Sequence, residues 1–97
     1  ITAPTRELAA QLFNNAKTFT KYLPELRVSL IVGGSDRQRA VNKLSTQPHV
    51  VIGTPGRIKD LSLDAQALQI TTAKTFVVDE ADMTLELSSI GRWFCLF

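Results

Sequence analysis

Apolar residues along this chain follow two patterns in turn, helical spacing and short continuous runs. Over residues 7–23 they recur every three or four positions, which predicts an amphipathic helix ended by Pro24. A second helix is predicted over residues 36–44, with Ser35 or Asp36 as its cap. The inward-facing positions predicted for these two helices are Leu8, Leu12, Phe13, Ala16, Phe19, Leu23, Ala40, Val41 and Leu44.

A third helix is predicted to start at Thr54 and Pro55, because threonine favours the cap position and proline the first turn. A break in this helix is allowed over residues 62–66. Its predicted apolar positions are Ile58, Leu61 and Leu68.

Continuous apolar runs predict strands over residues 1–3, 27–32, 49–52 and 75–78. Strands without polar alternation are typical of a sheet that helices cover on both faces. Strands and helices alternate along the whole chain. The predicted fold is therefore α/β, with three layers and a largely parallel sheet flanked by helices.

Composition narrows the class of protein. The chain has 97 residues, 44% hydrophobic and 21% charged, which fits one small folded domain. No apolar run reaches the roughly 18 residues of a membrane span, so no membrane contact is expected. The single cysteine, Cys95, excludes an internal disulfide, and we expect a reducing, cytoplasmic setting. A net charge of +2 is compatible with nucleic acid but decides nothing.

A polar or glycine-containing cluster directly follows each predicted strand. Ligands of open α/β sheets bind beyond the carboxyl ends of the strands, so these clusters predict one continuous surface. Helix N-termini, arginines and glycines are suited to binding a phosphate backbone. Each cluster taken alone is better explained as a helix cap or a turn, and Arg6 could equally form a salt bridge with Glu7. The clusters are Pro4-Thr5-Arg6-Glu7, Gly33-Gly34, Thr54-Pro55-Gly56-Arg57 and Asp79-Glu80-Ala81-Asp82.

Asp79 and Glu80 end the last predicted strand, and adjacent acids in that place can serve Mg²⁺ and an attacking water. Mg²⁺ keeps several waters and needs only one or two protein carboxylates, while a neighbouring carboxylate can orient the water. The competing explanation is an acidic turn that caps the next helix. Taken alone, Asp79 and Glu80 are better explained as this acidic turn than as a Mg²⁺ site.

Four strings stand in the order and spacing of one family: PTRELAAQ (residues 4–11), Gly33-Gly34, TPGR (residues 54–57) and VVDEAD (residues 77–82). On these strings the chain resembles the DEAD-box RNA helicases over residues 1–87. The resemblance implies a partial first RecA-like domain of an ATP-dependent RNA helicase, with ATP and Mg²⁺ as cofactors and RNA as partner. Residues 88–97 depart from the family pattern; a frameshift, an altered gene end or an artificial boundary would each explain them.

The resemblance also implies a role for each cluster. Asp79 would hold Mg²⁺ through water, and Glu80 would be the catalytic residue that polarises the attacking water. Asp82, beside Ala81, would couple the ATP site to the RNA side. The residues implied to contact the RNA backbone, without sequence preference, are Pro4, Thr5, Arg6, Glu7, Gly33, Gly34, Thr54, Pro55, Gly56 and Arg57.

The sequence contains no GxxxxGK[ST] loop to cradle a triphosphate. We expect that this loop lies upstream of Ile1 in a larger protein. We expect a Ser-Ala-Thr motif and a second RecA-like domain downstream of Phe97. Both ends of the chain are then cuts through that larger protein. We therefore expect no ATPase activity from this chain alone. We also expect marginal stability, or self-association through an unpaired sheet edge.

Two other functions stay open. One is a non-catalytic RNA-binding module, because the RNA clusters are more complete than the ATP site. The other is an unrelated α/β phosphate binder, which would require four strings to match in register by coincidence.

Overall fold

The structure, a computed structural model, describes residues 1–33, 37–64, 67–80 and 82. Its helices are α1 (Arg6–Phe19), α2 (Arg37–Leu44) and α3 (Pro55–Lys59), and its strands are β1 (Val28–Ile31) and β2 (Val50–Gly53). A π-helical turn (Asp60–Asp64) continues α3, and a 3₁₀ turn covers Ile70–Thr72. Among the residues described, no helix is long and apolar enough to cross a membrane.

The sheet is parallel, as predicted. β1 pairs with β2, and Thr2 bridges both Gly53 of β2 and Val78. Parallel segments therefore stand in the order β1, β2, residues 1–3 and residues 77–79. The backbone bonds beyond the β1–β2 ladder are Gly53 N–H to Ile1 O (3.0 Å), Ala3 N–H to Gly53 O (3.0 Å), Thr2 N–H to Val77 O (2.8 Å) and Asp79 N–H to Thr2 O (2.9 Å).

Apolar side chains cover both faces of the sheet, which confirms the three-layer α/β prediction. The residues buried beneath α1 are Ala3, Ala9 and Ile52. Those buried beneath α2 and the π turn are Ile31, Ala40, Leu44 and Leu61. Removing these groups from water is the main favourable term in forming the two cores.

α1 is shorter than predicted, because it ends at Phe19 rather than at Leu23. Its 14 residues span about 21 Å, whereas a four-residue strand spans about 13 Å, so the end of α1 projects beyond the sheet. Phe19 and Leu23 were predicted to face the core and are instead 84% and 53% exposed. The other predicted apolar positions of this helix do pack against the core, namely Leu8, Leu12, Phe13 and Ala16.

The third helix and the last strand also differ from prediction. α3 passes into the π turn at Asp60, and Leu68 lies outside any helix although it packs against the core. Residues 75–78 form only the bridge at Val78, and Phe76 and Val77 are 37% and 44% exposed. The prediction of a buried strand there is wrong, because α1, α2 and α3 pack on the other segments of the described sheet and leave these two side chains accessible to solvent. Ser35 and Asp36, the predicted caps of α2, and the tail (88–97) lie outside the described residues.

Candidate nucleic-acid interface

The carboxyl ends of the parallel segments meet at one edge of the sheet. Adjacent strands lie about 4.8 Å apart, so four segments span about 14 Å along this edge. Each segment delivers one of the predicted clusters there. We call this surface the carboxyl edge; within the described residues it comprises residues 4–7, 33, 54–57 and 79–80.

The first cluster opens α1. Thr5 is extended (φ −128°, ψ 159°), and its Oγ1 accepts a hydrogen bond of 3.2 Å from the N–H of Leu8. Glu7 is exposed in the first turn, where a carboxylate complements the helix dipole. Pro4 is half-buried just before the cap. The capping role considered for Thr5 is therefore present, and it holds the start of α1 at the carboxyl edge.

Arg6 joins the first cluster to the second. Its exposed guanidinium donates a long hydrogen bond, 3.4 Å from Nη1, to the carbonyl oxygen of Gly33 at the end of β1. Arg6 thus reaches across the sheet instead of forming the salt bridge with Glu7 that the sequence left open. Gly34 lies outside the described residues.

The third cluster opens α3. Pro55 is buried in the first turn, as predicted, and Thr54 is extended before it (φ −88°, ψ 150°). The Thr54 hydroxyl makes no cap hydrogen bond, so the predicted side-chain cap is absent. Gly56 is exposed, and nothing lies within 4 Å of the position where a Cβ would stand. The edge is therefore open to a ligand at this point.

The acidic cluster follows the bridge at Val78. Asp79 is half-buried, and its backbone is held by its N–H bond to the Thr2 carbonyl oxygen. Glu80 is exposed with φ 49°, a left-handed backbone that is uncommon outside glycine and concentrates at functional sites. Asp82 is exposed, and Ala81 lies outside the described residues.

Adjacent carboxylates suit a hard cation such as Mg²⁺, which prefers oxygen ligands and retains waters. The described residues contain no group of three or more side chains able to hold a metal ion.

Sequence reasoning missed Asp60 and Arg37. The Asp60 carboxylate accepts a hydrogen bond of 3.3 Å from Nη1 of Arg57 through Oδ2 and forms an ion pair with Arg37, whose Nη2 lies 3.1 Å from Oδ1. The spacing of Arg57 and Asp60, three residues apart, could have indicated the first pair. No local signal could have indicated the second, because Arg37 comes from a different helix.

A cleft of about 570 Å³ lies at the opposite edge, where the strands begin. It is lined mainly by apolar residues, with His49 and Lys74 as its titratable side chains. The cleft lining does not include the acids Asp79 and Glu80 or the arginines Arg6 and Arg57 of the carboxyl edge. We therefore place the candidate site at the carboxyl edge.

A parallel three-layer α/β domain with its clusters beyond the strand carboxyl ends is an open α/β domain, the class that includes RecA-like domains. A family model of the DEAD/DEAH box helicases matches residues 1–93. The chain belongs to this family.

Relatives and a solved structure agree with that assignment. The chain is 56% identical over 92 residues to the DEAD-box ATP-dependent RNA helicase CshB of Listeria monocytogenes, covering 94% of this chain and 21% of that protein. It is 39% identical over 91 residues to the ATP-dependent RNA helicase SUB2 of Scheffersomyces stipitis, covering 91% of this chain and 21% of that protein.

The crystal structure of the yeast DEAD-box splicing factor Prp28 superposes with a TM-score of 0.85 at 31% identity, covering 98% of this chain and 22% of that one. The chain therefore spans about a fifth of the length of these relatives.

Proposed function

We propose that this chain is the part of an ATP-dependent RNA helicase that binds the RNA backbone without sequence preference. The assembly of four clusters on the carboxyl edge, in a chain of this family, supports the proposal. Contacts to phosphates and 2′-hydroxyls carry no base information, so such an edge would bind any sequence. The proposed RNA-binding residues are Pro4, Thr5, Arg6, Glu7, Gly33, Gly34, Thr54, Pro55, Gly56 and Arg57.

The edge is partly preorganised for this task. Arg6 is anchored on the Gly33 carbonyl and Arg57 on Asp60, so each arginine has already lost some side-chain freedom before RNA binds. In the longer protein, we propose that a second RecA-like domain closes on RNA held here and bends one strand. A short duplex would thereby be separated locally.

Asp79 and Glu80 are proposed to serve ATP hydrolysis in that longer protein. Asp79 would hold Mg²⁺ through water, and the ion when bound would neutralise phosphate charge. Glu80 would orient the attacking water and take up its proton, and Asp82, next to Ala81, would couple this site to the RNA side. The 97 residues contain no GxxxxGK[ST], so they do not suffice to bind a triphosphate. We therefore propose that the chain alone hydrolyses no ATP.

The test is a filter-binding titration with poly(U) over a range of salt concentrations, accompanied by an ATPase assay. We expect measurable affinity that falls as salt rises, by about 0.7 log unit per log unit of salt for each phosphate neutralised. Absence of a salt-dependent affinity would refute the RNA-binding proposal. RNA-stimulated hydrolysis by the wild-type chain that is lost in Glu80→Gln would refute the proposal that the chain is inactive.

A second candidate is a non-catalytic RNA-binding module. It is favoured by one observation: most of the residues proposed to contact RNA lie together at the carboxyl edge among the described residues. A longer protein that includes the upstream loop separates the two functions. Hydrolysis stimulated by RNA supports the helicase, whereas RNA binding without hydrolysis supports the module.

We further propose that the chain self-associates through an exposed sheet edge, and that the longer protein works in the cytoplasm. Val77 is 44% exposed at the side of the described sheet, and an exposed strand edge is a template for another chain. Sedimentation velocity over a concentration series should show mass rising with concentration. A monomer with a cooperative melt at every concentration would contradict self-association.

A further inference from the structure

Asp60 joins two helices close to the carboxyl edge. It follows α3 directly, and the five residues of α3 place it about 7.5 Å along that helix from the edge. Arg57 approaches it from the preceding turn and Arg37 from the first residue of α2. Since α2 follows the segment that leaves the carboxyl end of β1, both arginines stand on the side of the sheet where the clusters meet.

The three side chains differ in exposure. The Arg57 side chain is 14% exposed, the Asp60 side chain 28% and the Arg37 side chain 51%. Arg37 has the largest exposed fraction of the three, and a guanidinium has five N–H donors, of which Asp60 engages only part. The positive charge of this group that solvent can reach is therefore mainly that of Arg37.

From this geometry we propose that Arg37 is a further contact for RNA phosphate and that Asp60 is a positioning residue that holds Arg37 and Arg57. Arg37 lies outside all the clusters that the sequence singled out. The proposal rests on the RNA-binding function proposed above. Its chemistry is that of a fixed guanidinium, which binds phosphate through paired N–H donors.

The direction in which Asp60→Asn changes the affinity for RNA separates a positioning role of Asp60 from a simple effect of its charge. Asp60→Asn removes a negative charge, and by charge alone it should strengthen binding to RNA. If Asp60 positions the two arginines, Asp60→Asn releases them and binding should weaken in spite of the added positive charge. Glu25→Gln is the matched control, because it removes one negative charge from an exposed loop residue.

Arg37 has its own matched control on the same helix. Arg39 is also exposed, and it borders Leu30, Asn42 and Lys43 rather than Asp60. Arg37→Gln and Arg39→Gln therefore make the same change of charge in different surroundings.

The experiment is filter binding of the full chain to poly(U) over a range of salt concentrations, with a thermal melt of every variant. Arg37→Gln should reduce the salt slope by about 0.7 and lower affinity about fivefold at 0.1 M salt, whereas Arg39→Gln should leave the slope unchanged. Asp60→Asn should weaken binding, and Glu25→Gln should leave it unchanged or slightly tighter.

Each outcome decides something. No salt-dependent binding by the wild-type chain overturns the proposed function together with this inference. Wild-type binding with equal slopes for Arg37→Gln and Arg39→Gln overturns the Arg37 contact alone. Tighter binding by Asp60→Asn overturns the positioning role. If Asp60→Asn fails to melt cooperatively, Arg37→Gln and its control Arg39→Gln still test the RNA contact. Arg37→Lys then tests the positioning role. It keeps the positive charge and should still weaken RNA binding if the fixed guanidinium geometry matters.

Discussion

Gly53 lies where β1, β2 and residues 1–3 meet. It stands opposite Ile31 in the β1–β2 pair, its N–H bonds the carbonyl oxygen of Ile1, and its carbonyl oxygen accepts from Ala3. A Cβ added at Gly53 would collide with the backbone carbonyl oxygen of Ile31 and lie 3.1 Å from Cγ1 of Ile58. Because a strand backbone cannot move aside as a flexible side chain can, Gly53→Ala should force β1 and β2 apart.

The expected loss follows from the cost of overpacking. Inserting one methyl group into a filled site typically costs about 1–3 kcal/mol. For a domain of this size, 1 kcal/mol lowers the melting temperature by about 4–8 °C, so a loss of about 2 kcal/mol lowers it by about 8–16 °C. Small domains have a free energy of unfolding of only about 5–15 kcal/mol, so this one methyl group removes a sizeable share.

The assay is a thermal melt followed by circular dichroism, with urea titrations as a second measure of the free energy of unfolding. Gly56→Ala is the matched control, since nothing lies within 4 Å of its Cβ position and Gly56 is inside α3. Alanine in a helix is more favourable than glycine by about 0.5–1 kcal/mol, so this variant should be neutral or more stable. A Gly53→Ala chain that melts at or above the wild-type temperature would refute the reasoning.

Two further predictions concern stability. Thr5→Ala should lower the free energy of unfolding by about 1 kcal/mol, because it removes the cap hydrogen bond from the N–H of Leu8. Thr54→Ala removes no cap hydrogen bond, so it should lower the free energy of unfolding by less in the same urea titration. Thr2→Val should raise the melting temperature, because the fully buried Thr2 hydroxyl has no hydrogen-bond partner and its burial costs about 1–3 kcal/mol; a lower melting temperature would contradict this.

Local chemistry determined much of the fold. The start of α1 was predictable because Thr5 caps it through a residue three positions away, and the start of α3 because Pro55 prefers the first turn. The parallel sheet was predictable because continuous apolar runs need helices on both faces. The end of α1 was not, since Phe19 and Leu23 keep helical spacing but have no sheet beneath them. How far a helix stays covered depends on the lengths of the strands it crosses, which its own sequence does not contain.

Some features of the candidate site were likewise visible in the sequence, and others were decided only by the tertiary structure. The residue types of the clusters and their place after strands were visible in the sequence, because turn and cap chemistry is local. That the four clusters share one edge was predictable from parallel strands, but which clusters are neighbours depended on the order of the parallel segments, which pairing through Thr2 and Gly53 decides. The contacts of Arg6 with Gly33 and of Arg37 with Asp60 join residues more than 20 positions apart. Only tertiary structure could decide them, because side-chain reach acts through space and leaves no period in the sequence.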